Sequence, residues 1–178
     1  MKKQINNNKG FSLVELIVVI AIMAILIGVL APNVMKQIEK SKVSKDKQTL
    51  DAVYTSITTA LTDVEAYDAF SAAKGTATGD VKFTLDKIVS GNDAFATAVK
   101  DMLPANIKLT AKGVAGKGAS EITVVITTDD TVVIFTPNSK SEMCVSNAKT
   151  SVKKNGNKFE YDGTATDIYA TAASGSNS

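Results

Sequence analysis

The side chain with the most chemical consequence is Glu15. Residues 11–31 read FSLVELIVVIAIMAILIGVLA, a run of 21 in which Glu15 alone is ionisable and Ser12 is the other polar residue. An ionised carboxylate at the centre of a membrane helix costs about 2.5–3.5 kcal/mol, and less near the ends. Glu15 lies four residues in from Phe11. That is roughly 6 Å along a helix axis, close enough for a tolerated terminal charge that reaches the headgroups. A chemical role needs a cation, and no Lys lies within the run. Hydrolysis of the peptide bond joining Gly10 to Phe11 would create one, the α-amino group of Phe11. Gly10 gives a protease a flexible, unobstructed backbone at that bond. Carboxylate and amine would then stand at opposite ends of one helical turn. Glu15 could neutralise its own amine or that of an adjacent copy.

Other chemistries are excluded by composition. All 20 basic residues are Lys, and the chain has no Arg, His or Trp. Without Arg there is no bidentate fork for guanine or phosphate, and with a net charge of +2 no specific nucleic-acid site is evident. Without His there is no Ser-His-Asp triad and no His-ligated metal. Cys144 is the single cysteine, so no internal disulfide forms, and it reads as a small buried hydrophobe. The sequence around Gly113, Gly116, Lys117 and Gly118 lacks the spacing of a phosphate loop. Asp129 and Asp130 have too few oxygen neighbours in sequence for calcium. No metal and no cofactor is expected.

The element that positions Glu15 is the apolar run itself. A helix of its length spans roughly 30 Å, a bilayer's hydrocarbon core. It is apolar all round, as expected of a helix buried in lipid or in a dense protein interior. A cleavable secretory signal is one alternative, because Val29-Leu30-Ala31 resembles its cleavage site. The run, however, exceeds the roughly 7–15 residues of a signal's apolar region. Pro32 would also follow the cut, where its locked φ and missing N–H fit poorly in a protease-bound strand. A plain single-pass anchor fits the length but leaves Glu15 without a role.

Lys9-Gly10 followed by Phe11-Ser12-Leu13-Val14-Glu15-Leu16 and about twenty apolar residues resembles the prepilin leader and amino-terminal helix of type IV pilins. The resemblance covers roughly residues 9–32 and combines Gly, Phe, a Glu at one fixed offset and a long apolar run. It implies cleavage between Gly10 and Phe11 by a membrane prepilin peptidase and methylation of the Phe11 amine by the same enzyme. It implies that Glu15 pairs with Phe11 of a neighbouring subunit during assembly. It also implies a cytoplasmic leader and an exported body. Low-cysteine pilins of Gram-positive bacteria are the nearest match, since the carboxy-terminal disulfide of many pilins has no counterpart here.

Two features of the same helix carry further expectations. Pro32 removes the hydrogen bond to the carbonyl of Gly28, and glycine is itself a poor helix former. A bend or loosened turn is therefore predicted between Gly28 and Pro32, with a helix boundary as the alternative. Lys36, Lys40, Lys42, Lys45 and Lys47 follow the run, against Lys2, Lys3 and Lys9 before it. Loop charge alone places the more basic side in the cytoplasm, opposite to the orientation that the resemblance implies.

Beyond Pro32 the pattern becomes amphipathic, with Val43, Leu50, Ile57 and Val64 repeating every seven residues. Met35, Ile38, Val53, Tyr54, Ala60 and Leu61 widen the stripe. Residues 65–80 read as a loop with one helical turn at most, and residues 84–89 as a short helix. Asn92 or Asp93 caps a further helix ended by Pro104. Strands are predicted at 107–111, 122–127, 131–136 and 158–162, with Asp129 and Asp130 in a tight hairpin turn. The strand at 131–136 is apolar on both faces, which predicts a central position. From Thr164 onward the chain reads as loosely held.

The expected fold is α+β: a long N-terminal α-helix, part membrane-type and part amphipathic, packed on an antiparallel β-sheet. The expected organisation is a removable leader at 1–10, a transmembrane or filament-core helix at 11–31, and a globular body at 32–178 that includes the amphipathic half-helix 32–64. The resemblance implies a structural subunit, not an enzyme. Such a subunit polymerises with itself into a surface filament for adhesion, surface motility or biofilm formation. It sits in the cytoplasmic membrane before assembly and on the cell surface after it, and it depends on an assembly platform and a separate motor ATPase. A pseudopilin of a secretion or competence system shares these residues. A membrane-anchored enzyme or binding domain is the alternative from another class, and it lacks convergent titratable groups.

Overall fold

A computed structural model describes residues 11–104, 106–138, 144–145, 152–156 and 158–169, the pair 144–145 by backbone alone. The chain divides into two compact units, Met1–Lys40 and Ser41–Ser178. The first contains the opening of helix α1, Leu13–Ala60, 48 residues long with Pro32 inside it. Helical conformation continues unbroken through Gly28 and Pro32, so the alternative of a helix boundary there does not hold. Pro32 still contributes no N–H toward Gly28.

The second unit holds the rest of α1 and the remaining elements. These are α2 (Val64–Lys74), β1 (Asp80–Thr84), α3 (Leu85–Ser90), α4 (Ala94–Met102), a 3-10 turn (Ala119–Glu121), β2 (Thr123–Ile126), β3 (Val132–Phe135), β4 (Cys144–Val145), β5 (Val152–Asn155), β6 (Lys158–Tyr161) and β7 (Ala165–Asp167). One sheet has the order β4-β3-β2-β1-β7, and β5 and β6 form a separate hairpin. The five-stranded sheet is antiparallel except at β1 and β7, which pair in parallel. This is the expected α+β architecture with one parallel edge.

Period-two alternation divides the sheet's side chains between two clusters. Val81, Phe83, Val124, Ile126, Val132 and Ile134 pack with Leu50, Val53 and Ile57 of α1, Phe70 of α2, and Phe95 and Val99 of α4. The rings of Phe70 and Phe95 lie 5.1 Å apart. Val125, Val133 and Phe135 point the other way and pack with Phe159 of β6. All of β3 is therefore buried, as its two-faced sequence predicts, with β4 and β2 on either side. The amphipathic stripe of α1 is likewise buried at Leu50 and Ile57 and partly at Val43.

Several expectations are corrected. Val64 is 78% exposed and opens α2 instead of continuing the stripe. Residues 64–74 are helical because Asp63 accepts the N–H of Ala66 at 2.9 Å as an N-cap, and Ala66 and Phe70 bury one face. Residues 107–111 form no strand. Leu109 instead donates to the carbonyl of Lys117 and accepts from the N–H of Gly116. The N–H groups of Thr110 and Ala111 go to the buried carboxylate of Asp46 on α1, at 2.8 and 2.7 Å. The Thr110 hydroxyl donates to the same group at 2.9 Å. A carboxylate thus satisfies donors that a sheet partner would otherwise take. Beyond Thr164, β7 is a paired edge strand, and Tyr169 packs edge-on against Phe83 at 5.4 Å.

The hairpin turn forms where expected. Asp130 adopts φ 59°, a conformation that Asp tolerates, and Asp129 accepts hydrogen bonds from the hydroxyls of Thr127 and Thr131. These bonds hold the Asp129 carboxyl below its usual range. Asp93 caps α4 by accepting the N–H of Ala96 at 2.7 Å. Asp80 accepts the Tyr161 hydroxyl at 2.6 Å and the N–H of Thr128 at 3.1 Å, tying β1 to β6 and to the hairpin turn. Burial, and then the Asp80 carboxylate, push Tyr161 up to about 12. The Cys144 side chain lies outside the described residues.

Candidate processing and assembly segment

Ser12 precedes the first residue of α1, and Glu15 stands in its first turn. The Glu15 carboxylate reaches back and accepts the backbone N–H of Ser12 through Oε2 at 3.0 Å. The carbonyl of Ser12 in turn accepts the N–H of Leu16. Ser12-Leu13-Val14-Glu15 thus has the S-x-x-E pattern of a capping box, with the acid at the third helical position. The pattern is present in the sequence, yet the sequence reading treats Ser12 only as a polar residue. Negative charge there also opposes the partial positive charge of a helix N-terminus.

Phe11 sits just outside the helix and is 94% exposed. Its nitrogen would become a cation if the preceding bond were cut. A cation at the positive end of a helix is unfavourable unless a carboxylate is close. Glu15 is on that turn, and a carboxylate has lone pairs for more than one donor. Holding the Ser12 N–H therefore leaves it able to accept an amine as well. Gly10 itself lies outside the described residues. The structure thus places Glu15 in the first turn of α1 and Phe11 two residues ahead of the helix. Gly28 and Pro32 stand several turns along the same helix, and beyond the adjacent helix backbone a Cβ at Gly28 would meet open space.

Every residue from 11 to 38 is exposed. The helix is long and apolar enough to cross a membrane, and none of its most apolar window is buried within the chain. Burying a Leu, Ile or Val side chain is worth roughly 1.5–3 kcal/mol, so a surface of this kind is covered by something else. Among the described residues, no cluster of three or more metal-ligating side chains exists.

A family profile described as the prokaryotic N-terminal methylation motif matches residues 5–31. In that segment the chain is similar to type IV pilins. It is 38% identical over 64 residues to the type IV major pilin protein PilA of Myxococcus xanthus (strain DK1622), a match covering 36% of this chain and 29% of that protein. The chain therefore spans less than a third of the length of that relative. No solved structure matches it.

Proposed function

We propose that this chain is the precursor of a filament subunit. In this reading a prepilin peptidase cuts between Gly10 and Phe11 and the Phe11 amine is methylated. The mature helix passes from the membrane into a bundle of copies of itself. One heterologous contact, repeated without closing, builds a fibre. The observation that carries the proposal is the exposure of residues 11–38 together with Glu15 holding the N–H of Ser12, the residue that follows Phe11. An all-round apolar helix is stable in lipid before assembly and among like helices after it. In either surrounding Glu15 needs a cation, and the amine of a neighbouring Phe11 supplies one.

Gly28 and Pro32 weaken one shared turn and give the segment a compliant point for that transfer. Extraction from the membrane falls to an assembly platform and a separate motor ATPase. The body is exported and displayed on the cell surface, where it serves adhesion or motility as a structural subunit. The test is mass spectrometry of the exported chain. A first residue of Phe11 bearing one methyl group supports the reading. A chain still beginning at Met1, or one beginning at Pro32, overturns it.

A further inference from the structure

Lys36, Lys40, Lys42 and Lys45 are exposed on α1 just beyond the apolar run, with Glu39 as the one carboxylate between Pro32 and Lys45. Their angular positions follow from about 100° per residue. With Lys36 as origin, Lys40 lies at about 40°, Lys45 at about 180° and Lys42 at about 240°. The exposed apolar residues Val34, Met35 and Ile38 fall at about 160°, 260° and 200°. One side of the helix therefore turns basic at Lys36. The opposite side stays apolar through Ile38 and turns basic only at Lys42.

The boundary between apolar and basic surface is thus oblique. Its two onsets differ by roughly 9 Å of rise across a helix roughly 10 Å wide. A helix tilted by about 40°, the upper end of the range for membrane helices, presents that offset to a flat membrane surface. The depth also agrees. Lys36 lies roughly 7.5 Å beyond Ala31, the thickness of one headgroup layer. Helical side chains lean toward the helix N-terminus, here back toward the apolar run. Lysine stems can follow apolar surface while their ammonium groups reach phosphate. A contact with one protein partner would call for lysines on one face. Lysines on opposite faces at staggered heights match a plane.

We propose that Lys36, Lys40, Lys42 and Lys45 form an oblique collar that binds anionic phosphate headgroups of the leaflet on the body's side and sets the tilt of the inserted subunit. The proposal rests on the membrane reading of residues 11–31. It gives the lysines beyond the run a role at the lipid surface that is independent of orientation by loop charge.

The chain has no Trp, so Ile38→Trp or Gln37→Trp places a single fluorescent reporter in the full chain. Each variant is reconstituted in vesicles of equal parts phosphatidylglycerol and phosphatidylcholine, with brominated acyl chains on one lipid or the other. The collar predicts that Ile38→Trp is quenched about twofold more by brominated phosphatidylglycerol, because anionic lipid is enriched around it. Adding K36Q, K40Q, K42Q and K45Q should abolish that preference. Ile38→Trp should also be quenched more than Gln37→Trp, the reverse of an upright helix. Equal quenching by the two lipids, or a preference that survives the four replacements, overturns the collar. Stronger quenching of Gln37→Trp overturns the tilt. Quenching by neither lipid removes the membrane reading beneath the collar as well.

Discussion

The two stretches of α1 at residues 13–31 and 46–60 share one backbone conformation and differ in what their side chains meet. In the second, a single stripe of Asp46, Leu50, Val53, Ser56, Ile57 and Ala60 is buried in the body. In the first, apolar side chains cover the helix all round and none is buried. A stripe calls for one partner surface, and this chain supplies it. An apolar circumference calls for surroundings on every side, and this chain does not supply them. The carboxylates repeat the contrast. Asp46 has its donors within the fold. Glu15 holds one backbone N–H and in our reading takes its cation from another copy.

The largest effect is expected at Glu15. Glu15→Ala removes both the cap and the charge, whereas Glu15→Gln keeps a capping side chain and removes only the charge. If the charge pairs with an amine in the filament core, both variants should lower filament yield about a hundredfold or more, the scale of breaking a buried ion pair at about 3–5 kcal/mol. Membrane insertion should be unchanged or improved. Electron microscopy of sheared filaments reads the yield, and recovery by Glu15→Gln would show that the cap alone matters. Filament length in the unsubstituted protein separates the two kinds of prepilin-type subunit, since short stubs alone indicate a pseudopilin.

Asp46→Ala should act on the body instead. It orphans the N–H groups of Thr110 and Ala111 and should cost about 3 kcal/mol in denaturant unfolding, with filament loss following only from misfolding. Smaller again are the caps. Asp63→Ala and Asp93→Ala should each cost about 1 kcal/mol, seen as lost helical signal and a lowered midpoint. The smallest effect is confined to alkaline pH. Because Tyr161 is raised to about 12, above the ordinary value of about 10 for tyrosine, its protonated form is favoured in the fold. The stability it contributes is present below pH 10 and lost as pH rises toward 12. Tyr161→Phe should flatten that part of the pH profile of unfolding, and an unchanged slope would contradict the role given to the contact with Asp80.

What could be read beforehand follows the range of the interaction. The apolar run, the two-faced β3 and the cap at Asp93 are written in local pattern, and each was legible. The helix α2 was also written locally, in Asp63 and the spacing of Ala66 and Phe70, but a stretch rich in Ala, Ser and Thr hid it. The short strand β1 alternates Val81 and Phe83 around Lys82, and five residues give little period to detect. Two features had no local signal at all. The parallel pairing of β7 with β1 joins residues far apart in the chain. Asp46 looks like any polar helix residue until Thr110 and Ala111, more than sixty positions away, are seen to need it.

The contact between copies is the most direct test of the central claim. Filaments grown from a mixture of copies, half carrying carbon-13 at the Glu15 carboxyl and half nitrogen-15 at the Phe11 amine, allow that distance to be measured by solid-state NMR. The account predicts a separation between copies within about 4 Å, an ion-pair contact. Filaments in which the labelled groups show no coupling between copies would contradict it.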